Sequence, residues 1–254
     1  MMRRIGKGPP RALIHGWGLG SAVWESLLPA LAERSQVHLV DLPGYGEACD
    51  AATDFTATAQ ALIDALPHPV TLCGWSLGAM LAMRAAGLAP ERVGGLILVG
   101  ATASFTRRDN WCEAQERQLV DDFAASLGRQ PKQTRQRFVA LLNQGDSQAR
   151  TITRQLVACL QEGPTADAAA LARGLDWLRE VDLRDLAPAV RTRCLLVHGE
   201  NDALNPLPAA RRLAEMIPNA RLEVFAGAGH APFLNDPERF VRLLDEFDGL
   251  HPAA

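Results

Sequence analysis

The stretch Val70-Thr71-Leu72-Cys73-Gly74-Trp75-Ser76-Leu77-Gly78 decides how this chain folds. Residues 70–73 form a short, largely apolar run, which predicts a strand buried on both faces, as in a parallel sheet. A helical pattern begins at Leu77 and continues to Ala89. A serine between two glycines at such a strand-to-helix junction predicts a sharp turn that lifts the hydroxyl clear of the sheet. We therefore interpret Ser76 as a candidate nucleophile.

The same alternation of short apolar runs and longer helical patterns covers most of the chain. The predicted strands, each ending in a turn signal, are Arg11–Ile14, Val37–Val40, Val70–Cys73, Leu96–Val99, Cys194–Val197 and Arg221–Phe225. The helical patterns between them include Ala57–Leu66, Leu77–Ala89, Ala209–Met216 and Pro237–Phe247. Strand–helix alternation of this kind predicts an α/β fold with a mostly parallel, doubly wound sheet.

One long interval interrupts this alternation. Between Phe105 and Ala187 the sequence is mostly helix-forming and contains no convincing strand. The interval far exceeds the roughly 4–6 residues of a typical connection. We therefore predict a helical cap at residues 105–187, inserted into a core that is formed by residues 1–104 and 188–254.

Composition and charge limit the classes of function. The chain has 254 residues, 48% of them hydrophobic, and a net charge of −3, as expected for a soluble globular protein with a sizeable core. The slightly negative net charge argues against nucleic-acid binding by the chain as a whole. The sequence contains no run of about 18 apolar residues, so we expect no membrane span. No apolar stretch follows the basic N-terminus, so we expect no signal peptide.

The cysteines and glycines point away from metals and cofactors. The five cysteines are widely spaced and form no CxxC pair, which favours reduced thiols in the cytoplasm over a disulfide scaffold or a zinc site. They are Cys49, Cys73, Cys112, Cys159 and Cys194. No phosphate- or dinucleotide-binding glycine motif and no HExxH occurs, so we expect neither cofactor nor metal. We expect a monomer in the cytoplasm.

A serine hydroxyl needs a base to act as a nucleophile. His230 lies in a loop of small residues directly after the last predicted strand, which can project its imidazole over the carboxyl edge of the sheet. Asp202 follows the preceding strand and is best placed to orient that imidazole, with Glu200 as the alternative acid. The chain order Ser76, Asp202, His230 is one in which catalytic triads occur.

An ester-cleaving serine also needs backbone N–H groups that bind the developing oxyanion. Leu77, directly after the serine, is one candidate donor. Trp17, in the loop His15-Gly16-Trp17-Gly18 after the first predicted strand, is the other, although its side chain can also serve as a pocket wall. We expect His15 to brace this loop and His198, at the end of a strand, to pack in the core.

Five stretches together resemble the α/β-hydrolases: HGWG at 15–18, DLPGYG at 41–46, GWSLG at 74–78, GENDALNP at 199–206 and GAGHAPFLNDPERF at 227–240. The combination of HGWGL, VDLPGYG, GWSLGA and AGHAPF is narrower. It is similar to the carboxylesterases of biotin biosynthesis that remove the methyl ester from pimeloyl-acyl-carrier protein. The resemblance spans nearly the whole chain and is weakest in the cap.

This resemblance implies a serine carboxylesterase with Ser76, Asp202 and His230 as the triad and Trp17 and Leu77 as the oxyanion donors. An acyl-carrier protein would present the ester. The cap residues implied to contact the substrate are Phe138, Val139, Ala140, Leu141 and Leu142. The short, proline-rich sequence before Arg11 departs from the family, which leaves its first edge strands either truncated or absent.

The cap carries a separate signal for an acidic partner. Between Arg129 and Arg154 the chain has six cationic residues and a single acid, Asp146. Clustered cations on a lid can steer an acidic carrier protein, although such a cluster can also be a solvated face. The candidates for docking are Arg137, Arg150 and Arg154. Phe138, Leu141 and Leu142 form an apolar stripe that can face an acyl chain or the core.

Two other functions fit the same sequence. One is a hydrolase of the same fold that acts on small free esters or on the C–C bonds of ring-cleavage products. The other is a receptor or scaffold that keeps the fold without catalysis, and the intact triad pattern argues against it.

Overall fold

The computed structural model describes residues 2–48, 54–163 and 166–249, so Cys49 lies outside the described residues. Within these ranges, seven strands form one sheet in the order β1-β3-β2-β4-β5-β6-β7. They are β1 (Arg3–Ile5), β2 (Pro10–Ile14), β3 (Gln36–Val40), β4 (Val70–Trp75), β5 (Val93–Val99), β6 (Cys194–Gly199) and β7 (Ala220–Phe225). All neighbours run parallel except β1 and β3, which confirms the predicted mostly parallel sheet.

Helices connect the strands and cover the sheet. They are α1 (Leu28–Ala32), α2 (Phe55–Asp64), α3 (Leu77–Leu88), α4 (Arg117–Leu127), α5 (Pro131–Leu142), α6 (Ala149–Glu162), α7 (Ala168–Glu180), α8 (Leu207–Met216), α9 (Pro232–Asn235) and α10 (Pro237–Asp248). Short 3₁₀ helices lie at Ser21–Leu27, Pro90–Arg92 and Ala187–Ala189. None of the helices in the described ranges combines the length and apolar character that crossing a membrane requires.

The central strands are buried on both faces, as their apolar runs predict. Every residue of β4 and β6 is buried. Cys73 and Cys194 lie in these strands, and burial raises the pKa of the Cys73 thiol to about 12. A thiol with so high a pKa stays protonated at neutral pH, so Cys73 is an apolar packing residue rather than a nucleophile.

The N-terminal edge of the sheet is short but present. Arg3, Arg4 and Ile5 pair in antiparallel register with Leu39, His38 and Val37 of β3. The sequence left open whether this edge was truncated or absent, and the structure retains an edge strand of three residues.

The segment predicted as a cap contains α4 to α7, and its described part includes no strand of the sheet. It leaves the core after β5 and returns before β6. Phe123 of α4 and Phe138 of α5 meet edge to face, with ring centroids 5.7 Å apart. The exact division into a core and a cap at residues 105 and 187 stays a prediction.

The parallel strands all point their carboxyl ends at the same edge of the sheet, where ligands of such folds bind. The loops after β2, β4, β5, β6 and β7 begin at His15, Ser76, Gly100, Glu200 and Ala226. Every candidate residue of the catalytic site therefore comes from this edge.

Candidate active site

Ser76 lies in a strained turn between β4 and α3. Its backbone has φ +56° and ψ −116°, a conformation that L-residues rarely adopt, and its N–H donates to the carbonyl of Val99 at 2.9 Å. Strain of this kind is held by the surrounding structure and concentrates at functional sites. The turn sets Ser76 at the N-terminus of α3, where the helix dipole favours negative charge.

The two glycines that flank Ser76 allow this turn because backbone passes where side chains would be. A Cβ at Gly74 would overlap the carbonyl of Gly78. A Cβ at Gly78 would lie 2.5 Å from the carbonyl oxygens of Ile14 and His15. The GxSxG spacing therefore reflects close contact between β4, α3 and the end of β2.

The structure joins His230 and Asp202 directly. His230 Nδ1 donates to Asp202 Oδ2 at 2.6 Å, and both side chains are fully buried. With its Nδ1 proton held by the carboxylate, the neutral imidazole has its lone pair on Nε2, as a general base requires. Nε2 is buried and has no hydrogen-bond partner among the described residues.

Asp202 is held by its own loop. Its Oδ1 accepts the backbone N–H groups of Leu204 and Asn205, each at 2.9 Å. Burial alone would raise the pKa of this carboxyl, but the neighbouring imidazoles of His230 and His198 and the hydrogen bonds outweigh it and lower the pKa. Asp202 therefore stays ionised at neutral pH.

Glu200, the alternative acid, lies elsewhere. Glu200 is exposed, and its Oε2 accepts the backbone N–H of Gly227 at 2.9 Å. The geometry pairs Asp202, and not Glu200, with the imidazole of His230.

His198 is closer to this pair than the sequence suggested. Its Nε2 donates to the carbonyl of Asn205 at 2.6 Å and lies 3.3 Å from Asp202 Oδ2. Burial lowers the pKa of His198, which keeps the ring neutral. His198 is buried in the core, as expected, and its ring also braces the acid loop. Its position four residues before Asp202 was the one signal for this contact.

Ser76 follows β4 and His230 follows β7, and Trp75 links the two loops. Trp75, directly before the serine, donates its indole N–H to the carbonyl of His230 at 2.8 Å. No hydrogen bond joins the Ser76 hydroxyl to His230 Nε2 within the described part of the chain. Such bonds between nucleophile and base are often long in unliganded enzymes and shorten when the substrate binds.

The loop after β2 is held in place at each residue. His15 Nδ1 donates to the carbonyl of Gly16 at 2.7 Å, and its Nε2 accepts the N–H of Leu42 at 3.1 Å. The Gly18 N–H donates to the Tyr45 hydroxyl at 2.8 Å. His15 braces the loop, as expected, and burial lowers its pKa so that it stays neutral.

The two candidate oxyanion donors belong to this loop and to the turn after Ser76. The backbone N–H groups of Trp17 and Leu77 form no backbone hydrogen bond with any described residue. A Cβ at Gly16, next to Trp17, would lie 3.2 Å from the Cβ of Ser76, so the loop passes close beside the serine.

The Trp17 side chain points into the cap. Its indole N–H donates to the carbonyl of Leu171 at 2.8 Å, and its ring meets Phe138 edge to face at 4.7 Å. Arg135 of α5 donates from Nε to the carbonyl of Gly18 at 2.8 Å. The cap therefore contacts the candidate oxyanion loop through the side chains of Phe138 and Arg135 and through the backbone carbonyl of Leu171.

The five cap residues implied to contact the substrate divide between two sides of α5. Phe138, Val139 and Leu142 are buried beneath the cap, while Ala140 is exposed and Leu141 is half-buried. Ala140 and Leu141 line an outer groove of about 510 Å³, together with Leu119, Phe123 and Arg137. A contact of Ala140 or Leu141 with a ligand would therefore come from this groove.

The three candidate docking cations are exposed. Arg137 stacks over the ring of Phe123 at 5.4 Å, and Arg150 and Arg154 lie one helical turn apart on α6. Within residues 2–48, 54–163 and 166–249, none of the three has an acidic partner. Among the described residues no group of three or more His, Cys, Asp or Glu side chains is arranged so that it could hold a metal ion.

Two curated relatives match the chain over nearly its full length. Both are called pimeloyl-[acyl-carrier protein] methyl ester esterase. The protein of Nitrosomonas europaea is 38% identical and covers 94% of this chain and 96% of its own. That of Aeromonas hydrophila is 39% identical and covers 98% of each.

Solved structures share the fold. An esterase from Exiguobacterium antarcticum superposes with a TM-score of 0.87 at 27% identity, covering 97% of this chain and 94% of its own. A bromoperoxidase from Bacillus anthracis has the same TM-score at 21% identity, covering 98% and 94%. The alpha/beta hydrolase family model matches residues 12–243. These findings confirm the resemblance and the fold class predicted from the sequence, and the chain belongs to the alpha/beta hydrolase family.

Proposed function

We propose that this protein is a serine carboxylesterase that hydrolyses the methyl ester of pimeloyl-acyl-carrier protein, a step of biotin biosynthesis. The observation that carries the catalytic part is the buried His230–Asp202 bond at 2.6 Å, beside the strained turn of Ser76. The substrate is supported by the name of the two relatives at 38% and 39% identity.

The first half of the reaction forms an acyl-enzyme. Ser76 Oγ attacks the ester carbonyl carbon while His230 Nε2 takes the hydroxyl proton. The carbonyl oxygen becomes an oxyanion, which the N–H groups of Trp17 and Leu77 bind. Asp202 holds the imidazolium by its Nδ1–H. The tetrahedral intermediate then collapses, the C–O bond to the alcohol breaks, and His230 returns its proton so that methanol leaves.

The second half repeats these steps with water. The water oxygen attacks the acyl carbon while His230 takes a proton from that water. The same two N–H groups bind the second oxyanion. Collapse returns the proton to Ser76 Oγ and releases the carboxylic acid, which then loses its proton to solvent. The Asp202 carboxylate stays ionised throughout because its pKa is lowered.

The outer face of the cap supports an acidic carrier protein as the partner. Arg137 borders a groove that has the apolar side chains of Leu119, Phe123 and Leu141 on its walls. Ala149 and Thr153 of α6 line the same groove, next to Arg150 and Arg154. A negatively charged surface that docks here would be steered by the cations while apolar contacts form beside them.

Free esters as the natural substrate are the second candidate function. The esterase from Exiguobacterium antarcticum, at 27% identity, supports this candidate, because its name states ester hydrolysis and no carrier protein. Comparing methyl esters that are free and carrier-bound, at matched acyl chain length, separates the two candidates. The carrier-bound ester should give the higher kcat/KM.

Reversing the charge of the docking cations should weaken only the carrier-bound reaction. We expect Arg137→Glu with Arg150→Glu and Arg154→Glu to lower kcat/KM on a carrier-bound methyl ester by about tenfold or more, because surface charges act mainly on association. Hydrolysis of a short nitrophenyl ester should be nearly unchanged. Added salt should weaken the wild type on the carrier substrate alone, since it screens charges beyond about 8–10 Å.

The matched control reverses the charge of three exposed arginines that lie outside the cap: Arg4→Glu with Arg191→Glu and Arg211→Glu. This variant has the same net charge as the cap variant and should hydrolyse both substrates normally. Equal losses of the cap variant on both esters would make the cations structural. Unchanged activity on both would make them a solvated face.

Trp17→Phe should separate the backbone of Trp17 from its side chain. The N–H of residue 17 is kept, so we expect kcat to stay within about tenfold of the wild type. The Leu171 carbonyl loses its donor and the cap loosens over the substrate, which should raise KM. Steady-state kinetics on a free ester checks this. A fall in kcat as deep as that of a triad variant would show that the indole holds the loop itself.

A further inference from the structure

Asp146, the single acid of the basic cap stretch, is buried rather than exposed, with 7% of its surface accessible. Its carboxylate accepts three hydrogen bonds. Oδ2 accepts the backbone N–H of Gly229 at 2.6 Å, and Oδ1 accepts the N–H of Gln148 at 2.6 Å and the side-chain amide of Asn235 at 2.9 Å. Gly229 directly precedes His230.

The turn that carries Asp146 makes two further bonds to the same loop. The His230 N–H donates to the carbonyl of Leu142 at 3.0 Å, and the Ser147 N–H donates to the carbonyl of Gly227 at 2.8 Å. The backbone around His230 is therefore bonded to the turn between α5 and α6 at residues 227, 229 and 230.

Gly229 marks how closely the two segments approach. A Cβ at this position would lie 3.0 Å from the carbonyl of Leu142 and 3.2 Å from the Cβ of Asp146. The loop also has contacts with the core, since Trp75 donates to the His230 carbonyl and Glu200 accepts the Gly227 N–H. The N–H groups of Gly229 and His230, however, both donate to the cap.

We propose that Asp146 is a positioning residue for His230. Its Oδ2 holds the peptide before the histidine through the Gly229 N–H, and this fixes where the loop places the imidazole. The inference rests on the proposed function, since it takes His230 as the general base. A displacement of about 1 Å at a reacting group can cost about 10²-fold in rate, so a hydrogen bond at this position bears directly on kcat.

Asp146→Asn tests the assignment at constant shape. One amide oxygen then faces three N–H donors, so at least one donor meets the amide NH₂. Glu200→Gln is the matched control, because Glu200 also accepts an N–H of this loop but does so at Gly227, on the exposed side. The measured quantity is the turnover of a nitrophenyl ester per active site. The number of active sites is counted by labelling with a fluorophosphonate until the reaction is complete. This ratio is insensitive to a loss of folded protein.

We expect Asp146→Asn to lower kcat per labelled site by about 10- to 100-fold, with KM within about threefold of the wild type. Glu200→Gln should match the wild type. A value of kcat per site within about twofold of the wild type for Asp146→Asn, or equal losses in both variants, would overturn the assignment.

Gly229→Ala tests the same contact from the other side, and it decides the question if Asp146→Asn does not fold. The added methyl pushes the loop away from Leu142 and Asp146, so kcat per site should again fall while KM changes little. Normal turnover by Gly229→Ala would overturn the proposal. A wild-type protein that is not labelled at Ser76 would instead overturn the proposed function, and the role of Asp146 with it.

Discussion

Ser76→Ala should abolish ester hydrolysis while leaving the fold intact. The loss in kcat is expected on the order of 10⁶, because without the hydroxyl no acyl-enzyme forms and only binding and the oxyanion donors remain. Stability should change little, since alanine keeps the Cβ that already occupies the strained turn at φ +56°. Turnover of a nitrophenyl ester and the thermal midpoint Tm measure the two effects.

A fluorophosphonate label separates loss of the nucleophile from loss of the site. The wild type should take up one label, which peptide mapping should locate at Ser76, and Ser76→Ala should take up none. Ser126→Ala, in α4 of the cap, is the matched control and should behave as the wild type. Retention of more than a few per cent of activity by Ser76→Ala would exclude Ser76 as the nucleophile. A wild type that neither turns over the ester nor takes up the label would instead favour the non-catalytic receptor or scaffold.

The core of the fold was predictable because its signals are local. An apolar run followed by a glycine turn marks each central strand, and the turn around Ser76 depends on glycines within two residues of it. The long interval without strands was equally visible, and its described residues form four helices, α4 to α7. Boundaries shifted by a few residues, as at α2, which begins at Phe55 rather than Ala57, because Asp54 caps it.

The contacts around the candidate triad were harder to foresee because they join distant parts of the chain. Asp146 and Gly229 are 83 residues apart, and an acid in a basic stretch gives no sign that it is buried. His198 ends an apolar strand, so packing was the simplest interpretation. Only the fold shows that its Nε2 also reaches Asn205 and Asp202.

The stripe on α5 shows how helical spacing can mislead. Phe138 and Leu142 face inward as the spacing predicts, but Val139 is buried in place of Leu141. Leu141 is half-buried: it packs against the core and also lines the outer groove beside Arg137. A helix that is covered on one side and borders a groove on another has two apolar faces, and a single periodicity describes only one of them.

Asp202→Asn should lower kcat on the order of 10⁴, through the tautomer of His230 rather than through loss of the fold. Two backbone N–H groups bind Oδ1, so the amide oxygen of asparagine should occupy that position. The amide NH₂ then faces His230 Nδ1, where the carboxylate oxygen was. Nδ1 must accept a hydrogen bond, the ring proton moves to Nε2, and Nε2 can no longer take the proton of Ser76.

The matched variant Glu200→Gln distinguishes this mechanism from a general loss of negative charge. Glutamine keeps an oxygen that can accept the Gly227 N–H, and the residue is exposed, so we expect kcat within about twofold of the wild type. Both variants remove one charge from neighbouring positions of the same loop, and only Asp202 contacts the imidazole. The ratio of their kcat values on a free ester therefore measures the orienting role of the carboxylate. A reversed ratio would make Glu200 the triad acid and would require the loop after β6 to adopt another conformation during catalysis.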